Sequence, residues 1–262
     1  MHFSRASLFP AIPRLRDAAP RPVPGGPPPC IRAARPDVHT RVSTSVSPLL
    51  AASAGALLLA GALPAAAGPA PEAGHRWHFA VSLDGHPIGW HDFTVSGSPE
   101  EATVDSEAHL RVTALLIPVY SYEHRDYERW RGGCLSQIDA RTNEDGHEYI
   151  VHGQQDDNAF KVHGPSGPAA LQGCVRSFAY WDRQLLQGGR LLNAQTGRYE
   201  PVALTHLPDD PVLVRGRTVP AEHYALEAQA FRVELWYSPE GEWLALASRT
   251  AEGRQIRYEI PP

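Results

Sequence analysis

The chain has 262 residues, with 24 Lys and Arg against 29 Asp and Glu, a formal net charge of −5 at neutral pH. No basic run interrupts this acidic balance, which excludes a surface built for nucleic acid or for anionic membranes.

Residues 1 to 40 are a Pro, Ala and Arg mixture that cannot form a core. Met1 is the only Met, so this stretch reads as an extension ahead of the true start, with translation expected at a codon read here as Val38 or Val42. Residues 41 to 67 read as a signal peptide. The apolar heart, Leu49 to Leu63, has the length of a signal core and is short for a bilayer span. Arg35 and Arg41 precede it, Pro64 breaks the helix, and Ala65-Ala66-Ala67 offers the small residues a signal peptidase accepts, so cleavage is expected after Ala67. The alternative is an uncleaved anchor. The expected location is the periplasm or the exterior, with membrane contact only through the signal segment.

The remaining domain, residues 68 to 262, is 195 residues long, enough for one domain with a proper core. The leader takes seven Arg and two acidic residues with it, leaving 17 basic and 27 acidic residues, a net of −10. Cys30 leaves as well, so Cys134 and Cys174 form an even pair expected to join in an oxidising compartment. In the chain-entropy description that bridge stabilises the fold by about 4 kcal/mol. Two buried free thiols are the alternative.

From Trp77 onward the pattern has period 2. Phe79, Val81 and Leu83 alternate with polar residues, Asp84-Gly85 supplies a turn, and Phe93 and Val95 resume the pattern. In "TVDSEAHLRVTA", Val104, Ser106, Ala108, Leu110 and Val112 share one face, while Asp105, Glu107, His109 and Arg111 share the other. "IPVYSYEHRDYERW" continues extended, and "NEDG" joins the strand near Cys134 to "HEYIVHG". "SFAYWDRQLLQGG" departs from this rhythm: Phe178, Trp181 and Leu185 fall at i, i+3 and i+7. Ser177 could cap the start and Gly188-Gly189 the end, so one short helix is expected over 177 to 187. Further strands follow, with turns at "SPEG" (238 to 241) and "AEG" (251 to 253). Short turns without alternating helices predict a mainly β fold: a single curled antiparallel sheet of about ten strands, barrel-like or half-barrel, with the helix covering an open end or the concave face.

Several stretches, "LDGHPIG" (83 to 89), "WRGGCL" (130 to 135), "FAYW" (178 to 181), "LLNAQTG" (191 to 197) and "LWYS" (235 to 238), resemble an exported bacterial family, domain of unknown function 6134. The resemblance covers roughly residues 75 to 260 and implies a signal peptide followed by a mostly β domain. It carries no established catalytic residues.

For chemistry, "HEYIVH" sets His147 and His152 five apart, on opposite strand faces, and is not a metal motif. In "EHRDYE", His124, Asp126 and Glu128 share one face, and Glu123, Arg125 and Tyr127 the other. The simplest expectation is a solvated face with cross-strand ion pairs. The alternative is a cluster able to hold a divalent cation or move a proton. "GPSGP" (164 to 168) reads as a loop rather than a nucleophile elbow. In "FAYWD" and "LLNAQTG" the aromatics are expected to pack between helix and sheet, and Asn193, Thr196 and Gly197 to shape a turn. The functional alternative sets Tyr180, Trp181, Asn193 and Gln195 at the mouth of a cavity. His206 and His223 read as surface or satisfied core histidines. No cofactor and no metal is expected. Three functions remain: non-catalytic binding or transport of a hydrophobic, lipid-like ligand, which is preferred; an envelope hydrolase or isomerase using His124, Asp126 or Glu128; and a structural or assembly protein of the envelope.

Overall fold

The computed structural model describes residues 74–98 and 100–262; the expected extension, the signal peptide and its cleavage site lie outside the described residues. Sixteen strands follow in chain order: β1 (His75–Leu83), β2 (His86–Gly97), β3 (Glu101–Ala114), β4 (Ile117–Arg131), β5 (Cys134–Glu144), β6 (His147–Gln155), β7 (Phe160–His163), β8 (Ala169–Leu171), β9 (Gly189–Leu192), β10 (Tyr199–Leu207), β11 (Val212–Val214), β12 (Arg217–Val219), β13 (Glu222–Glu227), β14 (Arg232–Tyr237), β15 (Trp243–Arg249) and β16 (Gln255–Glu259). The expected count of about ten was too low. Five of these strands have only three or four residues, too few for alternation to register.

Fourteen strands make one antiparallel sheet, ordered β8-β7-β6-β5-β4-β3-β2-β1-β16-β15-β14-β13-β10-β9. The first and last strands of the chain meet inside it, with Ala80 opposite Glu259 and Leu83 opposite Ile256. The sheet curls. β4 and β14 stand six places apart in it, yet Tyr122 of β4 and Val233 of β14 line one pocket, which a flat sheet forbids. Its two end strands do not pair, so the barrel-like body stays open.

Alternation sets the inner face. On β3, Val104, Ser106, Ala108 and Leu110 are buried as the pattern predicts. At the centre lies Trp243, fully buried, with Phe79 at 4.5 Å and Phe93 edge-on at 5.1 Å between ring centroids. Its indole N–H donates to the Ala245 carbonyl at 3.0 Å, so the ring enters the core without an unmet donor. β15 is buried along both faces, because the separate hairpin β11–β12 covers its outer side through Val212.

Gly89, which ends "LDGHPIG", has a specific steric reason. Its φ is +148°, and a Cβ there would lie 1.9 Å from the His109 carbonyl oxygen on β3. Only a residue without a side chain lets β2 and β3 approach so closely.

The expected helix over 177 to 187 reduces to a five-residue 3-10 helix, Arg183–Gln187, capped by Asp182, whose side chain accepts from the Gln184 N–H. Ser177 does not cap it; it forms an isolated bridge with Leu192. Upstream, the sheet competes for the backbone: Tyr237 Oη donates to the Tyr180 carbonyl at 2.8 Å, and Arg176 accepts from the Leu192 N–H at 2.7 Å. Gly188, at φ +69°, ends the helix as expected. Residues 172–188 therefore run as a strap inside the curl, burying Val175, Ala179 and Leu185, before the chain joins the sheet as β9 and turns through 193–198 into β10. Cys134, at the start of β5, is disulfide-bonded to Cys174 at the start of this strap.

Candidate functional site

Under the strap lies a pocket of about 160 Å³. Its floor is built by strand register. Phe93, Ser106 and Asp126 form one row across β2, β3 and β4; His91, Ala108 and His124 form the next. Glu128 continues the inward face of β4, and Tyr258, Ile256, Leu246 and Val233 form an apolar wall on the opposite strands. Ser177, Phe178 and Tyr180 close it from the strap, and Asn193 and Gln195 from the β9–β10 turn.

The face carrying His124, Asp126 and Glu128 is thus not the solvated one expected. His124 and Glu128 are buried, Asp126 is partly buried at the pocket, and Glu123 and Arg125 point outward. Both faces of "EHRDYE" are charged, so those six residues cannot decide their own orientation. Their neighbours do. Tyr120, Tyr122 and Trp130 share the parity of His124 and are buried, dragging the polar residues between them inward.

Burial dominates the electrostatics. Asp126 and Glu128 are in hydrogen-bond contact, and loss of solvent pushes both carboxyls upward, Asp126 well above its usual range with Glu128's charge and hydrogen bond adding to the effect. The two carboxyls titrate as a pair, and losing the first proton from it is resisted by burial. Glu128 accepts in turn from Trp130 Nε1 at 2.8 Å and from Ser177. Asp126 Oδ1 has no other hydrogen-bond donor. His91 Nε2 lies 2.8 Å from Ser106 Oγ, and its buried Nδ1 has no partner. His124 Nδ1 lies 2.8 Å from Thr142 Oγ1.

Burial lowers the pKa of His124 to about 4, and burial together with repulsion from His124 holds His91 well below its ordinary value. Both rings therefore resist protonation below the ordinary imidazole range. Being depressed in the fold, they contribute stability above the unfolded value near 6.5, which is lost as pH falls through the folded values. Ring-nitrogen NMR of the full chain should show two histidines that stay neutral at pH 5.5; imidazolium signals from both would contradict the burial.

The four residues expected at a cavity mouth divide. Tyr180, Asn193 and Gln195 line the pocket. Trp181 turns to a separate groove and meets Trp130 edge-on at 5.4 Å. Asn193 Oδ1 accepts from the N–H groups of Gln195 and Thr196, and Gly197 stands at φ +70°, so the turn-forming role is realised. The Gln195 amide is bracketed, donating to Glu144 at 3.3 Å and accepting from Tyr122 Oη at 3.4 Å, while Glu144 also accepts from Tyr120 Oη. His91 and Ser106 were not singled out as site residues. Their signal was available: His91 has the parity of Phe93 and Val95, and Ser106 is a polar break in an apolar strand face. Among the described residues no group of three or more His, Cys, Asp or Glu has a metal-holding arrangement. The cation reading of "EHRDYE" therefore finds no support among the described residues.

A curled antiparallel sheet with a strap inside it and a polar-floored pocket beneath the strap defines a barrel-like β domain. Residues 79–260 match the family described as Domain of unknown function (DUF6134), and the chain belongs to that family. In fold it is similar to a solved structure titled "Beta-barrel-like Protein of Domain of Unknown Function DUF1849 from Brucella abortus", at TM-score 0.55 and 12% identity, covering 73% of this chain and 97% of that one. That likeness concerns the fold alone. No curated protein matches the chain.

Proposed function

We propose that this domain is a non-catalytic binding protein, exported from the cytoplasm, that holds the apolar part of a small amphipathic molecule in its internal pocket. The observation that carries the reading is the pairing of an aromatic and aliphatic wall with two buried floor atoms that have no partner among the described residues, His91 Nδ1 and Asp126 Oδ1. Such a floor prefers a ligand with a hydrogen-bond donor, an amine above all, whose positive charge would favour ionisation of the Asp126–Glu128 pair. Amines also suit the neighbouring ring faces of Phe93, Phe178 and Tyr258. The volume limits what enters. About 160 Å³ matches a cavity that holds a benzene-sized group and falls short of the roughly 300–1,000 Å³ usual for a whole drug-sized ligand. A lipid-like molecule would enter by one end only. Export is supported by the Cys134–Cys174 disulfide, a bond that persists in oxidising compartments.

Native mass spectrometry of the full chain, with benzylamine, benzyl alcohol and benzoate as probes, tests the proposal. Benzylamine should bind, benzyl alcohol more weakly and benzoate least, and Asp126→Asn should weaken the amine at least about tenfold. Equal binding of all three probes, or of none, would sink it.

A second reading has its own observation. Asp126 and Glu128 titrate as a pair beside two histidines that resist protonation, an arrangement suited to general acid–base catalysis. Chemical conversion of a bound probe by the wild type, abolished by Glu128→Gln with probe binding retained, would favour an enzyme over a binder.

A further inference from the structure

We propose that the tip of the β3–β4 hairpin, Leu115 to Val119, inserts into the interfacial region of an electrically neutral lipid bilayer. The inference is independent of the pocket. Leu115 and Leu116 form the two-residue turn with φ of +49° and +68°. That conformation suits Asn-Gly or Asp-Gly and is strained for a bulky side chain.

The other two-residue turns of this kind among the described residues follow the rule: Asp84-Gly85, Gly132-Gly133, Asp145-Gly146 and Arg215-Gly216 all have positive φ at both positions and Gly at the second. Leu115-Leu116 alone breaks it, and nothing among the described residues compensates. Both leucines are 97% exposed, with Ile117 at 65% and Val119 at 40%. Large apolar side chains held in an unfavourable turn and packed on nothing point to an outside partner.

Size and charge identify that partner as a bilayer. Four side chains on a narrow tip cannot supply the roughly 800 Å² per subunit that a stable protein dimer buries, whereas a slender apolar wedge suits entry between lipid headgroups. Residues 112 to 122 carry no charge, in a domain that is otherwise strongly acidic. The tip is thus the part of the domain least opposed by headgroup desolvation. The acidity of the remainder, with Arg111 the residue that precedes the uncharged run, selects a zwitterionic rather than an anionic surface.

The test uses the full chain with phosphatidylcholine vesicles, comparing the wild type with the double variant Leu115→Asn/Leu116→Gly. Flotation should show the variant's partitioning reduced about a hundredfold, while its melting temperature stays equal or rises because Asn-Gly fits the turn. Any binding through the apolar run at residues 49 to 63 is common to both proteins and cancels. Hydrogen exchange across residues 112 to 119 should slow when vesicles are added to the wild type. Equal partitioning of the two proteins, no slowing at the tip, or tighter binding to phosphatidylglycerol than to phosphatidylcholine would each overturn the proposal. So would a dimer that the substitution dissolves in the absence of lipid.

Discussion

Replacing Cys134 and Cys174 together with Ser is expected to lower the melting temperature of this protein by about 8–16 °C, as is reduction of the native bond. The bond spans a sequence separation of 40, for which loop-closure entropy gives about 4 kcal/mol. In a domain of this size each kcal/mol shifts the midpoint by roughly 2–4 °C. The bond also acts locally. It fixes the start of the strap to β5, next to the hydrogen bond from the Leu135 N–H to the Val175 carbonyl at 2.8 Å. Ser177, Phe178 and Tyr180 follow within six residues and line the pocket. Freeing Cys174 should therefore weaken probe binding as well as stability. Thermal unfolding with and without reductant checks the first effect; a shift under 3 °C would show that strap packing suffices without the bridge.

Asp126→Asn is expected to stabilise the protein at pH 8 by about 2 kcal/mol, the scale of a buried polar group relieved of its desolvation penalty, while weakening an amine probe. The sign follows from the direction of the shift. Asp126 has its carboxyl raised in the fold by burial and by Glu128, so its contribution is fully present below the unfolded value near 3.9 and is lost as pH rises through the folded value. Asn carries no ionisable proton, and the variant should lack that loss. Denaturant unfolding at pH 5 and pH 8 would show the variant's advantage growing with pH. A constant difference would mean that Asp126 is ionised in the fold and paired in some other way. The histidines act in the opposite sense below pH 6.5, since protonating His91 or His124 opposes burial, so the wild type should be most stable between the two regimes. Stability given up to keep a desolvated carboxyl at a pocket is the signature expected of a functional group rather than a packing one.

Much of the architecture was legible because alternation is a local property. Val104 to Leu110 announced their inward face, Asp84-Gly85 and Asp145-Gly146 announced their turns, and Cys134 and Cys174 announced their pairing. The 177–187 segment misled because Phe178, Trp181 and Leu185 have helical spacing, yet Tyr237 and Leu192, distant in sequence, bind its backbone instead. In the site, Tyr180, Asn193 and Gln195 could be selected from their residue types, while Trp181 could not be separated from them, since only the path of the strap sends it toward Trp130.

By itself, the sequence determined the antiparallel β character, the disulfide partners, the strand faces where apolar and polar residues alternate cleanly, and the family. These rest on contacts or periods readable within a few residues, or, for the disulfide, on the expectation that Cys30 leaves with the leader. The tertiary structure alone decided that His124, Asp126 and Glu128 face inward, that His91 and Ser106 join them, and that Leu115 and Leu116 meet nothing. Each of those outcomes depends on how far the sheet curls and what lies across it. Curl is a collective property of fourteen paired strands, and no local stretch of the chain encodes it.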